Sequence, residues 1–294
     1  MKQITTHLWF DKEAKEAAAF YTSLFPNSKI ENTSKITGTP SGDCDIVNFT
    51  LADIPFMAIS AGPYFKFNPS ISFLVVCKTR EEVNNLWAKL STGGKILMPL
   101  EKYPFSEWYG WAADKYGLTW QIILDDGHYP YRHKITPTLM FVGDVCGRAA
   151  EAMNFYASIL PEGKVGDMVR YPAGMEPDKE GTVMHGAVSL AGREFFAMDS
   201  AQKHDFAFNE AISFIVNCDT QEEIDYYWGK LSAVPELEQC GWLKDKFGVS
   251  WQIVPTAMNK MMASGDQAKI DKLTKAFLPM KKLDIKALQE AFNK

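Results

Sequence analysis

The chain has 294 residues, of which 46% are hydrophobic and 23% charged, and a net charge of −5. That is enough apolar chain for two buried cores, and the charge balance excludes the basic footprint of a nucleic-acid binder. No apolar run nears the ~20 residues that span a bilayer, which excludes a membrane helix.

Ile4 to Phe10 is apolar and β-friendly and predicts a strand, with Asp11 placed to cap the helix after it. In that helix Ala14, Ala17, Ala18, Tyr21 and Leu24 form an apolar stripe at helical spacing. Asp45–Ala52 and Pro55–Ala61 read as two strands around a turn at Asp53, and Gly62-Pro63 breaks the chain. The plan then repeats. Ile71–Cys77 is a nearly continuous apolar strand, and Arg80–Leu90 is a helix with Val83, Leu86, Trp87 and Leu90 on one face. Thr92-Gly93-Gly94 ends that helix. Lys95–Leu100, Glu107–Ala113 and Leu118–Leu124 are further strands. The segment from Ala257 reads as helical, with Ile270, Leu273, Ala276 and Phe277 on one stripe and Ile285, Leu288 and Phe292 on another. It is expected to pack on the preceding domains or on a second chain.

A second copy of the same plan follows the first. Ile4-Thr5-Thr6-His7-Leu8-Trp9-Phe10 matches Ile135-Thr136-Pro137-Thr138-Leu139-Met140-Phe141. Phe20-Tyr21 matches Phe155-Tyr156, and Ile71-Ser72-Phe73-Leu74-Val75 matches Ile212-Ser213-Phe214-Ile215-Val216. The clearest pair is Asp114-Lys115-Tyr116-Gly117-Leu118-Thr119-Trp120-Gln121-Ile122 with Asp245-Lys246-Phe247-Gly248-Val249-Ser250-Trp251-Gln252-Ile253. The division expected is therefore 1–126, a linker at 127–134, a second domain at 135–256 and a helical tail at 257–294. The five cysteines are scattered without a CxxC pair, so neither a zinc knuckle nor a thioredoxin-type centre is suggested. The N-terminus lacks the apolar core of a secretory leader, and a cytoplasmic protein is expected.

These motifs resemble the PhnB-like family of the glyoxalase, bleomycin-resistance and dioxygenase group, also called the vicinal oxygen chelate superfamily. The resemblance implies an α+β fold with two tandem domains. Each would pair βαβββ units into a half-open, eight-stranded barrel, and a C-terminal helical tail would follow. It also implies a metal inside each cup, held by His or Glu from the first, fifth and last strands. Copy one offers His7 and Gln121 at those positions and copy two Gln252, with Thr138 the partner of His7, and the fifth-strand position falls near Ser70 or Ser72 and near Ala211 or Ser213. An amide is a weaker ligand than a carboxylate, and the mixed His and carboxylate set that divalent ions prefer is missing. No cofactor is firmly expected; Zn, Mn, Fe or Ni is the alternative.

Other candidates carry two readings each. His185, opening a strand, is an acid or base at the cup mouth or a structural histidine. Asp199, ending the next strand where copy one has Ser60, faces a ligand or caps a turn. Trp108, Tyr109 and Trp111 wall a pocket, although alternation puts Trp108 opposite the other two. Trp120 and Trp251 are expected in the core, and the charges of Asp114, Lys115, Asp245 and Lys246 in solvent on a tight turn.

The function expected first is binding of a small organic molecule in the cups. The alternative is a metal-dependent lyase, isomerase or dioxygenase. A weaker one is the demethylubiquinone methyltransferase label that the family carries, for which no G-x-G-x-x-G turn is present. The expected partners are a small ligand, neither nucleic acid nor membrane, and, if the tail packs on a second chain, a homodimer.

Overall fold

The computed structural model describes residues 4–127 and 129–294. Residues 1–3 and His128, which fall in the first domain and the linker expected above, lie outside the described residues. The first half of the chain forms β1 (Thr5–Phe10), α1 (Ala14–Thr22), β2 (Lys29–Thr39), β3 (Gly42–Leu51), β4 (Ile54–Ser60), β5 (Ile71–Cys77), α2 (Arg80–Ser91), β6 (Lys95–Tyr103), β7 (Ser106–Ala113) and β8 (Thr119–Leu124). The second forms β9 (Ile135–Phe141), α3 (Ala149–Ile159), β10 (Lys164–Arg170), β11 (Val183–Leu190), β12 (Arg193–Asp199), β13 (Ile212–Cys218), α4 (Gln221–Leu231), β14 (Trp242–Lys244) and β15 (Ser250–Pro255). The tail is three helices, α5 (Thr256–Met262), α6 (Gln267–Phe277) and α7 (Ile285–Asn293).

The chain is α+β and folds as two compact units. Unit 1 is Phe67–Phe208; unit 2 joins Lys2–Lys66 to Asn209–Lys294. Unit 1 holds an eight-stranded sheet in the order β10-β11-β12-β9-β5-β8-β7-β6, and unit 2 a seven-stranded sheet in the order β14-β15-β13-β1-β4-β3-β2. Each pairs two strand-helix-strand modules, as expected, but the paired modules come from different copies. In unit 1 the second module of copy one meets the first module of copy two along β5 and β9, with Ile71 opposite Leu139 and Val75 opposite Ile135. In unit 2 the outer modules meet along β1 and β13, with Thr5 opposite Ile215 and Leu8 opposite Ile212. The sequence repeat and the compact units thus divide the chain at different places. Strands lying in the middle of a sheet explain why β5 reads as a nearly continuous apolar run and why β9 and β13 are buried almost throughout.

In unit 1, α2 packs on β7 and β8 and α3 on β10, β11 and β12. A Cβ on Gly110 would come within 2.5 Å of the Trp87 ring, and one on Gly186 within 2.6 Å of Met153. Those two glycines therefore face the helices, and Tyr109, Trp111, His185 and Ala187 face the other way by alternation. We call that second face the inner face. In unit 2, α1 packs on β3 and β4 and α4 on β13 and β15.

Four expectations about elements need correction. Asp11 does not cap α1; Glu13 precedes the helix, and the free N–H of Ala14 is taken by Ser60 Oγ at 3.1 Å. The edge strand β2 was not foreseen, because its sequence is polar and its residues are mostly exposed. Where copy one has the long β6–β7 hairpin, copy two has only the short β14. The backbone beside it is completed by the tail: Cys240 N donates to Met280 O at 2.6 Å and Gly241 N to Lys281 O at 2.8 Å. The tail therefore belongs to unit 2. Finally, Asp114 and Asp245 are buried rather than solvated. Each carboxylate accepts two backbone N–H groups of its turn and the indole N–H of Trp120 or Trp251 at 2.9 and 2.8 Å. Gly117 and Gly248 sit in the same turns at φ +89° and +87°, a region that side chains disfavour.

Candidate functional site

On the inner face of unit 1, Gln121 of β8 is fully engaged. Its Oε1 accepts from the Tyr109 hydroxyl at 2.8 Å, and its Nε2 donates to Ser72 Oγ at 2.7 Å. Burial pushes the Tyr109 phenol up, so it stays a donor. Beside this chain lies an apolar cluster of Leu74, Val76, Ile123, Ala187 and Phe196, with Trp111, Tyr129 and Tyr131 packed against it. His185 belongs to the same face. Its ring lies 4.7 Å from Phe196 and 6.1 Å from Tyr129, and burial pushes its pKa down.

Among the described residues, three polar atoms here are buried without a partner: the indole Nε1 of Trp111, Oε2 of Glu194 and Oγ1 of Thr136, which lies opposite Leu74. The other oxygen of Glu194 accepts from Tyr129 Oη at 3.3 Å. Burial pushes the Glu194 carboxyl up, while the Tyr129 hydroxyl and the Arg132 N–H and charge pull it down. Sequence reading passed over Glu194, Tyr129 and Tyr131. The signal for the first was a charge opening the apolar run Glu194-Phe195-Phe196-Ala197-Met198. The tyrosines belong to a segment that composition marks only as a linker.

Asp199 and Trp108 are on the opposite face. Asp199 accepts from Gly147 N at 2.7 Å, Ala149 N at 3.1 Å and Val183 N at 2.9 Å, so it ties the start of α3 to the start of β11. Burial raises its pKa against those backbone donors. The Ser60–Asp199 difference between copies is thus a difference in how a helix start is held. Trp108 donates its Nε1–H to Asn84 Oδ1 at 2.8 Å and lies under the Arg80 guanidinium at 4.4 Å, both on α2. Neither residue joins His185, Tyr109 and Trp111.

The inner face of unit 2 carries His7, Ser213 and Gln252. His7 is opposite Ser213 in the ladder, and Gln252 Nε2 donates to Ser213 Oγ at 2.9 Å. The His7 ring meets Trp242 edge-on at 5.0 Å. Its Nδ1 is buried without a partner, and burial pushes its pKa down to about 3. His7 and Gln121 are in different units, so the pairing expected within copy one is not formed; His7 stands with Gln252 from copy two. One imidazole and one amide make a poor divalent site, since no carboxylate accompanies them. Among the described residues, no group of three His, Cys, Asp or Glu side chains could hold a metal ion. The residues present do not fit a divalent ion.

The chain matches the model of the family described as 3-demethylubiquinone-9 3-methyltransferase twice, over residues 2–123 and 133–254. Among solved structures, a Bacillus cereus protein described as a putative 3-demethylubiquinone-9 3-methyltransferase, PhnB protein, is 41% identical; the match covers 42% of this chain and 99% of that one, with a TM-score of 0.39. Glyoxalase I from Zea mays is 9% identical over 88% of this chain and 94% of its own, with a TM-score of 0.55, which shows a shared fold. No curated protein matches the chain. Among the described residues no helix is long and apolar enough to cross a membrane.

Proposed function

The chain belongs to the 3-demethylubiquinone-9 3-methyltransferase family, the PhnB-like branch of the glyoxalase superfamily, and from that premise we propose that it binds a small organic molecule on the inner face of unit 1. The observation that carries this reading is two of the unpartnered buried atoms on that face, the Trp111 N–H donor and the Glu194 Oε2 acceptor. Leaving such atoms without partners costs free energy that a ligand offering one acceptor and one donor would recover. The aromatic rings of Trp111, Tyr129 and Phe196 suit a flat apolar body between those groups. His185 would lie against the ligand, neutral at pH 7 because burial lowers its pKa.

A thermal-shift screen of small organic molecules tests the proposal. Hits are expected to bind at least about tenfold more weakly to Trp111→Phe and Glu194→Gln, one hydrogen bond each. Hits unaffected by both variants would remove the site from unit 1.

Metal-dependent chemistry is the second reading; the donor set argues against it, and it would have to rest on the unpartnered Nδ1 of His7 beside Gln252. Plasma mass spectrometry after dialysis against Zn, Mn, Fe(II) or Ni separates it from the first. Stoichiometric retained metal that is lost on His7→Ala would favour the second reading. The methyltransferase reading rests on the family's description alone, and absence of labelled S-adenosylmethionine binding would remove it. A homodimer is the assembly to test by sizing, with the exposed Ile96 and Phe105 at the β6–β7 edge as its supporting surface.

A further inference from the structure

The inner face of unit 2 is covered by the chain itself. Ile270 of α6 is 2% exposed and clusters with Ile36, Cys44 and Ala61, while Trp9, Ile46, Ile59 and Met262 pack against the same group. Trp9 shares the His7 side of β1, two residues on. It lies 6.0 Å from Trp242, the ring that covers His7. Three polar ties place the helices across the sheet. Asn259 of α5 donates to Asn217 of β13 at 2.7 Å; on β2, Thr37 donates to Asp271 at 2.7 Å and Gln267 donates to the Lys35 carbonyl at 3.2 Å.

The contact divides into a firm part and a lighter part. The firm part is the end of the tail, where Met280 and Lys281 pair with Cys240 and Gly241 and where Leu273, Phe277, Leu283 and Leu288 form their own core. The lighter part is α5 and the start of α6. It meets the sheet through one fully buried aliphatic side chain, Ile270, with the half-buried Met262 beside it, and through uncharged or singly charged hydrogen bonds. Gly265 joins α5 to α6 at φ +75°, with nothing within 4 Å of where a Cβ would stand. Met258, Met261 and Met262 lie in the joint between lid and core, and unbranched methionine repacks without a fixed partner.

We propose that α5 and the first turns of α6 are a lid that opens independently of the unit 2 sheet and uncovers the inner face carrying Trp9, Trp242 and His7. The lid bends within itself at Gly265 and stays tethered through β15 at one end and through Leu273–Leu288 at the other. A closed lid excludes any occupant from that face, so occupancy of unit 2 requires opening, whereas in unit 1 Tyr129 and Tyr131 pack against the corresponding face. The inference does not rest on the ligand proposed for unit 1.

Hydrogen exchange on the full chain tests it. Amides of α5 and of α6 up to Ile270 are expected to exchange at least about 100-fold faster than those of β1 and β4, the mark of a separate opening unit. Exchange of these helices together with β1 overturns the proposal. A double variant, Ile270→Ser with Asp271→Ala, is expected to keep the near-ultraviolet circular dichroism of the parent and to bind one more equivalent of the dye anilinonaphthalene sulfonate. Loss of the dichroism would mean that α6 is part of the core, and unchanged dye stoichiometry that no face is uncovered; either overturns the lid. A failure of the unit 1 site would show instead as missing dye in the parent.

Discussion

The carboxylates of Asp114 and Asp245 each hold two backbone N–H groups and an indole in a buried turn. Replacing Asp245 by Ala strands all three donors, and a loss of about 3 kcal/mol in urea-unfolding stability is expected from unsatisfied buried donors. A loss under 1 kcal/mol would mean that water replaces the carboxylate. At His7 the effect is on pH. Burial holds its pKa at about 3 against 6.5 when unfolded, so below pH 6.5 the unfolded chain binds the extra proton. The stability linked to His7 is whole above pH 6.5 and falls as pH drops toward 3. Comparing denaturation of the parent and His7→Gln across that window should show the parent losing more; equal losses would contradict a buried neutral imidazole. These residues also show what a sequence hides. The Asp-Lys-aromatic-Gly-x-x-Trp spacing was legible as a tight turn, but the carboxylate reads as solvated until the indole six residues on is seen to bond it.

At the scale of elements, helices and central strands were legible because their apolar spacing is strong, as in Val83, Leu86 and Leu90 of α2. The polar edge strand β2 was not, since backbone pairing to β3 defines it more than burial does. Site residues were legible as members of a face: alternation alone separated Trp108 from Tyr109 and Trp111. The partners of Gln121 and Gln252, two serines on neighbouring strands, required the register. Packing between elements gives a sharper prediction. Gly110→Ala would drive a methyl group into the Trp87 ring, and α2 would have to shift on β7 and β8. A cost of about 1–3 kcal/mol is expected by thermal or urea unfolding. An unchanged midpoint would mean that Trp87 finds another rotamer at no cost.

At the scale of the whole chain, the repeat announced two similar copies but not which halves would pair, because both copies carry the same interface pattern on β1, β5, β9 and β13. Either partnership would satisfy the hydrophobic spacing, and only the ladder registers distinguish them. One consequence concerns the order in which the molecule is made. Unit 1 is continuous from Phe67 to Phe208, whereas unit 2 needs residues from both ends of the chain. During synthesis the first module must wait, with the β1 edge unpaired, until β13 emerges, and it waits while unit 1 can already fold. Closing unit 2 then means joining strands separated by the whole of unit 1, a step slowed by loop closure. Pulse-labelled refolding should protect β5 and β9 before β1 and β13. A nascent chain stalled before Ile212 should present β1 as a vacancy for chaperones, or for the β13 of another molecule.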